Sequence, residues 1–592
     1  MPFPVRVADP GVAARLEQEA GVSPFTARWL AARGWQDAQR VREFLSPSLA
    51  LLHAPWTMKG MQAAVERILG AIAAQETILI YGDYDADGTT AVVILRKALT
   101  MLGARLVCHI PQRLAEGYGM HREPIERAAA EGVRLVISVD TGIRAFAVVE
   151  RAVALGLDVI ITDHHLPEER AVAALAVLNP HQADCNYPDK NLSGVGVAFK
   201  LVQALFERAG RIEAGAVPAW LSAFLKIVAL GTIADAVPLT GENRILAHFG
   251  LEGLRLPANP GLQALIRTAL PDKIAATGLS AEDVSFRLAP RLNAAGRMGG
   301  AELVLALFAA PAREAADLAE QLERLNRERR RVEDHIRAEI ETRFAADPTL
   351  DADRVLVLDG EGWHRGVLGI VAARVLEQTG KPTLVFAREG AMAHGSGRAP
   401  AGQHLLALLE TCPELFERFG GHAAAVGCAL PCDRLPELRR RLNLAQRSLT
   451  PTAAVAGALP ADLELRLGEI QAGLLAECRR FAPFGMGNPA PRFAARGVRL
   501  VAPLRILKDR HLKLIVEQDG RRFDALAWNA IGREACSAAA LTGELQPGTP
   551  LDLLFCIEET QHPQYGDRVQ LILQALPMRS EEGLTRAVGN GG

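Results

Sequence analysis

Four short apolar runs between residues 78 and 165, three of them ending on acidic or imidazole side chains, constrain this chain more than any other feature. They read ILIYGD (78–83), ARLVCHI (104–110), RLVISVD (134–140) and DVIITDHH (158–165). Each has the length of a strand and is almost continuously apolar, the texture of strands covered on both faces. Helical stretches alternate with them: TTAVVILRKALTML, REPIERAAAEG and AFAVVERAVALG. Strands alternating with helices of this length predict βαβ units and a parallel sheet, an α/β fold.

The rest of the chain needs further cores. Its 592 residues predict about three to five units, at roughly 100–200 residues each. Residues 1–50 read as a mostly helical lead-in. Residues 311–345 read as one long helix, without Gly or Pro after Pro311 and with Leu and Ile at helical spacing, suited to connect two lobes. A second α/β segment starts at RVLVLDG (354–360) and runs to about residue 450. From about residue 492, strand-like runs follow one another, among them HLKLIVEQ, RRFDALAW and RVQLILQAL. Such spacing predicts a small β-barrel of the OB-fold kind. The tail from Met578 reads as disordered.

No apolar run reaches the ~18–20 residues that span a bilayer. The start, MPFPVRVADPG, lacks a basic region followed by an apolar one, so a cytoplasmic protein is expected. The eight cysteines form no CxxC pair, which predicts reduced, buried thiols. A net charge of −2 means that nucleic-acid binding has to come from local basic patches.

The chemistry is expected at the strand ends, because ligands of an open parallel sheet bind beyond its carboxyl edge. The first strand runs into Asp83, Asp85 and Asp87, the third into Asp140, and the fourth into Asp163, His164 and His165. Asp235 follows a further apolar run, KIVALGTIADAVPL. A lone DxD or His-His pair is an ordinary polar turn, but several strand ends agreeing is a site. Carboxylates packed this closely raise one another's pKa unless a cation compensates. Oxygen and imidazole ligands suit Mn²⁺ or Mg²⁺, and two such ions can activate water and clamp a phosphate.

These segments also carry a resemblance. DYDADG (83–88), SVDTG (138–142), DHH (163–165) and GTIADAVPL (231–239) look like the four motifs of the DHH phosphoesterase family. LSGVGVAFKL, APRLNAAGRM, GWHRGVLGIVAARV, GSGR, FGGHAAAVG and FGMGNPAPRF extend the likeness over most of residues 75–575. They resemble the branch of DHH/DHHA1 proteins that are single-stranded-DNA-specific exonucleases. The resemblance implies a DHH catalytic domain over 51–300, a long connecting helix within 301–350 and a DHHA1 domain over 351–450. A connector with an OB-fold over 451–577 and a tail over 578–592 would follow.

The resemblance further implies two metal ions, Mn²⁺ or Mg²⁺. Asp83 and Asp140 would hold one, and Asp85, Asp140, His164 and Asp235 the other, with Asp140 bridging and His165 facing the substrate phosphate. Asp87 is the less certain member of its triplet. Arg113, Tyr118, Arg291, Asn293, Arg297, Ser396, Arg398 and His422 would bind substrate. Ala399 stands where Ser is common in the family. The implied reaction is 5′→3′ removal of 5′-mononucleotides from single-stranded DNA in recombination and repair. A single-strand-binding protein and a RecQ-type helicase are the implied partners.

Two basic patches stand apart from the motifs. Arg324, Arg327, Arg329, Arg330 and Arg331 crowd the long helix, where pairing with Glu323, Glu328 and Glu333 is the simpler reading. Arg505, Lys508, Arg510, Lys513, Arg521 and Arg522 crowd the expected barrel, as single-strand binding requires. The rival readings are a DHH phosphatase of small nucleotides, which has no need of such a barrel, and an inactive scaffold, which would have lost ligand positions.

Overall fold

The computed structural model describes residues 3–113, 116–117, 119–255, 257–271, 278–448, 460–508, 510–530, 545–562 and 566–579. The chain divides into two units, Leu52–Val455 and a second made of Met1–Leu51 with Ala456–Gly592. Among the described residues, no helix is long and apolar enough to cross a membrane, and the cysteines are free.

The larger unit opens on a sheet of five parallel strands: β1 (Thr77–Tyr81), β2 (Arg105–His109), β3 (Val133–Val139), β4 (Asp158–Thr162) and β5 (Ala176–Leu178). Their order is β2-β1-β3-β4-β5, so the winding reverses between β1 and β3. β1, β3 and β4 are buried nearly throughout, as their apolar sequences require. The edge strand β2 differs, exposing Arg105 and leaving Val107 38% accessible, because only one neighbour covers it.

Register then decides what meets at the reversal. Tyr81 lies opposite Ser138, and Val139 opposite Thr162. Continued past the strand ends, this pairing puts Asp83, Asp140 and Asp163 at one level of the sheet edge. The Asp140 N–H still donates to Thr162 O (2.9 Å) and the Asp163 N–H to Leu178 O (3.0 Å).

A helix, Ala312–Ala346, leads from this lobe to a second, mixed sheet of order β6-β7-β8-β10-β9. Its strands are β6 (Leu356–Glu361), β7 (Thr383–Glu389), β8 (Met392–Arg398), β9 (Arg418–Gly421) and β10 (Ala425–Pro431). Only β6 and β7 pair in parallel.

In the other unit, five strands close a ring: β12 (Phe493–Leu500), β14 (His511–Gln518), β15 (Arg521–Ala527), β17 (Gly566–Leu573) and β16 (Pro550–His562), which returns to β12. The short β11 (Leu463–Glu464), β13 (Arg505–Leu507) and β18 (Met578–Arg579) pair along its margins. β15 and β17 are the parallel pair of the ring, and the other ring pairs are antiparallel, an OB-type barrel. Met578 and Arg579, expected to begin a disordered tail, instead pair with Asp552 and Leu551 of β16, and residues 580–592 lie outside the described residues.

The N-terminal helices Pro10–Ala20, Pro24–Ala32 and Ala38–Leu45 share one core with this barrel. Trp29 is fully buried and stacks on Phe481, with centroids 3.9 Å apart and planes within 5°. Arg33 lies over the same indole at 4.2 Å and pairs with Asp462 at 2.7 Å. Trp29→Ala is therefore expected to destabilise this unit by about 3–5 kcal/mol in urea unfolding, a cost far above that of a surface change.

Candidate active site

The acidic and imidazole groups expected from the strand ends meet at the point where the winding reverses. Asp83, Asp85 and Asp140 each bring a carboxylate oxygen within 4.8 Å of the others'. Asp87, His164 and Asp235 form a second such group, and Asp140, His164 and His165 a third. His164 Nε2 lies 3.2 Å from Asp140 Oδ1, 3.6 Å from Asp235 Oδ2 and 3.9 Å from Asp87 Oδ2.

Local structure aims these groups. Asp85 caps the helix Ala86–Met101, accepting from the Gly88 amide at 3.0 Å. Asp87 accepts from the amides of Gly194 (2.7 Å) and Val195 (2.9 Å), in the first turn of the helix Gly194–Arg208. Asp140 has φ +59° and Ala236, next to Asp235, φ +60°, a left-handed backbone uncommon for residues with a Cβ. Gly194 is required by contact: a Cβ there would lie 2.4 Å from Asp140 Oδ1.

Burial dominates the electrostatics. It raises Asp83 and Asp140 well above the carboxylate range, and the neighbouring aspartates push in the same direction. Asp235 is pushed up to about 9 by burial and then by Asp87, Asp85 and Asp83. Asp87 rises to about 7 by burial and Asp85, against the pull of its two amides. Burial, reinforced by His165, lowers His164 to about 4, so its ring is neutral and can act as a ligand. Asp140 Oδ1, His164 Nε2 and Asp235 Oδ2 are buried without a hydrogen-bond partner. Converging orphan oxygens and an imidazole nitrogen are what a hard divalent cation satisfies, so this donor set fits Mn²⁺ or Mg²⁺.

His165 is held differently. Asp163 Oδ1 sits 2.7 Å from His165 Nδ1 and also accepts from the amides of His164 and His165. Burial alone would lower the His165 pKa, but the hydrogen bond and charge of Asp163 outweigh it and the net shift is upward.

Beside the carboxylates lies a cationic cradle. The Arg113 guanidinium is 5.2 Å from the Tyr84 ring centroid. Arg297 Nη1 donates to Gly366 O of the second lobe at 3.2 Å. Arg398 Nη1 donates to Gly397 O (2.7 Å) and Ser396 Oγ (3.3 Å). A Cβ on Gly366 would lie 2.2 Å from Arg297 O, and one on Gly369 2.9 Å from Arg398 Nη2, so these glycines permit the approach. Burial, with Arg113 second, lowers Arg297 to about 10, against the opposing pull of Tyr84 and Asp85.

The other expected substrate residues are placed as follows. Arg291 is engaged by Glu323 at 2.6 Å, tying two helices together. Asn293 Oδ1 accepts from the Ala86 amide at 2.8 Å, at the start of the helix that Asp85 caps. His422 is exposed near Arg144, and Tyr118 lies outside the described residues. On the long helix, Arg329 pairs with Glu333 (2.7 Å) and Arg331 with Glu328 (3.2 Å), as expected, whereas Arg327 pairs with Glu320 and Glu323 is taken by Arg291 of another helix instead of by an arginine of its own. On the barrel, Lys513 pairs with Asp524 (2.8 Å), whereas Arg505, Lys508 and Arg510 are exposed. The 49% exposed Trp528 stands nearby, edge-on to His511 at 5.0 Å. Sequence reasoning did not single out Trp528, Arg144 or the hydrogen bonds made by Asp163, and it left Asp87 as the less certain member of its triplet, whereas Asp87 stands in one group with His164 and Asp235. The third Asp of DYDADG was the available signal for Asp87, since a carboxylate directly before Gly88 faces the same edge.

Comparison with known proteins places this geometry. The DHH family N-terminal domain matches residues 77–232, the DHHA1 domain residues 352–447 and the RecJ OB domain residues 461–575. The single-stranded-DNA-specific exonuclease RecJ of Dickeya dadantii is 39% identical over 491 residues, covering 79% of this chain and 84% of the relative. The chain belongs to the RecJ family. RecJ of Bacillus subtilis is 37% identical over 90% of this chain, which spans 65% of that relative's length. The crystal structure of RecJ from Thermus thermophilus in complex with Mn²⁺ superposes with a TM-score of 0.78 at 28% identity, covering 98% of this chain and 79% of that one.

Two outcomes follow from a RecJ site built this way. Asp87 and Asp235, raised to about 7 and about 9, favour the folded metal-free protein at low pH, and that contribution is lost as pH rises through those values. The melting temperature of the metal-free protein should accordingly fall from about pH 4, the ordinary carboxylate value, up to about pH 9, most steeply below about pH 7, and Mn²⁺ should remove much of that slope. Gly194→Ala, which displaces Asp140 without removing a ligand, should lower Mn²⁺-dependent turnover about 100-fold.

Proposed function

We propose that this chain is a single-stranded-DNA-specific exonuclease that removes 5′-mononucleotides in the 5′→3′ direction by two-metal-ion hydrolysis. The observation that carries the reading is the convergence of Asp140 Oδ1, His164 Nε2 and Asp235 Oδ2, buried and unpaired, beside Asp83, Asp85 and Asp87. A divalent pair bound there supplies Lewis acidity toward the phosphate and lowers the pKa of an attacking water.

The chain's own residues do the rest. Arg113, Arg297, Ser396 and Arg398 receive the 5′-terminal phosphate, and their repulsion is relieved when it binds. The next phosphate, the scissile one, comes to lie over the aspartates. His165, its Nδ1 held by Asp163, presents its other ring nitrogen to a phosphate oxygen as a donor. The lobes touch at Arg297–Gly366 and Arg144–His422, which favours a passage for one strand rather than a duplex. On the barrel, Arg505, Lys508 and Arg510 offer phosphate contacts, and Trp528 a sequence-tolerant stacking surface. A role in recombination and repair, a cytoplasmic location, and partnership with a single-strand-binding protein and a RecQ-type helicase belong to the same proposal.

The test is degradation of a long 5′-phosphorylated single strand with Mn²⁺. The expected products are 5′-mononucleotides, and cleavage confined to dinucleotides would sink the exonuclease reading. Asp140→Ala should abolish cleavage and keep most of the strand affinity; unchanged cleavage would remove the metal mechanism.

A further inference from the structure

Strand order puts cationic groups on two sides of the carboxylates: Arg113 follows the edge strand β2, whereas Arg144 follows β3 and His165 follows β4, with Asp83 after β1 between them. Arg113 and His165 both lie within electrostatic reach of Asp83. Arg113 belongs to the cradle with Arg297 and Arg398. His165 instead neighbours His422, whose other charged neighbour is Arg144. A strand whose terminal phosphate occupies the cradle and whose scissile phosphate lies over the aspartates therefore leaves past His165, toward Arg144 and His422.

Arg144 is held in a defined pose there. Its loop follows Asp140 and is pinned where the Ile143 amide donates to Asp163 Oδ2 at 3.0 Å, on the carboxylate that holds His165. Arg144 Nε and Nη2 both donate to Leu166 O, at 3.0 and 2.7 Å, which fixes the plane of the guanidinium. Nη1 is directed across to the second lobe, 3.5 Å from His422 Nε2, a long contact between a cation and a ring whose pKa burial and Arg144 lower. Among the described residues, the carboxylate within ion-pair range of Arg144 is Glu168, 4.0 Å from Nε and half exposed. A fixed cation with one donor edge open toward an imidazole on the opposite wall is suited to an anionic oxygen between them.

We propose that Arg144 and His422 together bind the phosphodiester immediately 3′ of the scissile one, so that Arg144 sets the preference for substrates longer than a dinucleotide. The proposal rests on the exonuclease reading of the same site. Among the described residues, Arg144 contacts Leu166, His422 and Glu168 and neither the carboxylate cluster nor the cradle, so its contribution depends on whether the substrate has that third phosphate.

The experiment compares wild type, Arg144→Gln and Arg144→Lys with Mn²⁺ on three 5′-phosphorylated single strands: a dinucleotide, a trinucleotide and a 20-mer. For Arg144→Gln, KM on the trinucleotide and the 20-mer should rise about 10- to 100-fold relative to KM on the dinucleotide, the worth of one charge-assisted contact. The kcat ratios among the three substrates should stay as in wild type, and Arg144→Lys should recover part of the lost discrimination. Equal losses on all three substrates would show that Arg144 acts through the loop it shares with Asp163 and would overturn the proposal, as would unchanged KM values. A melting temperature matching wild type separates these outcomes from misfolding. If wild type cuts none of the three, the exonuclease reading falls and this inference falls with it.

Discussion

Buried aspartates that repel one another are the constraint around which the larger unit is arranged. Asp83, Asp87 and Asp140 are almost inaccessible, and burial raises the pKa of each. Such a cluster persists in a fold only when the surrounding structure holds it and when a cation can compensate it. Here the scaffold is the carboxyl edge of a parallel sheet at its reversal, where loops from β1 and β3 must face each other. Backbone amides from the helices starting at Ala86 and Gly194 take part of the charge on Asp85 and Asp87. What remains uncompensated points inward to one place.

The positive groups follow a complementary logic. Arg113, Arg297 and Arg398 are gathered together, and burial, with Arg113 second, lowers the pKa of Arg297. Arg291, from the same helix as Arg297, is by contrast neutralised by Glu323. One helix thus carries one arginine that ties two helices together and one left for an anion. On the long helix Arg329 and Arg331 find glutamates a turn away and Arg327 one two turns away, so a dense run of like residues in sequence is partly neutralised in space.

Much of this was legible in the chain itself. The alternation of apolar runs and helical stretches implied the parallel sheet, because a strand covered on both faces must be apolar on both. Period and strand length placed Asp83, Asp140 and His164 at strand ends, since an apolar run stops where its backbone leaves the sheet. The barrel could be anticipated from short strands at turn spacing. Other features were not legible. The pairing of Arg291 with Glu323 depends on how two helices cross. The sharing of one core by residues 10–45 and the barrel joins segments more than four hundred residues apart, and no local pattern signals it.

The sequence by itself determined the kind of chemistry and its address: hard oxygen and imidazole donors at one edge of an α/β sheet, with a basic barrel elsewhere in the chain. Local periodicity and residue type suffice for that, because both act over a few residues. Tertiary structure alone decided which donors share a point and which cations stay open. Sheet register set Asp83 level with Asp140, the amides of Gly194 and Val195 drew Asp87 in beside His164, and the contact between lobes set Arg144 against His422. Distances between groups remote in the chain are fixed only when the packed core fixes the elements that carry them.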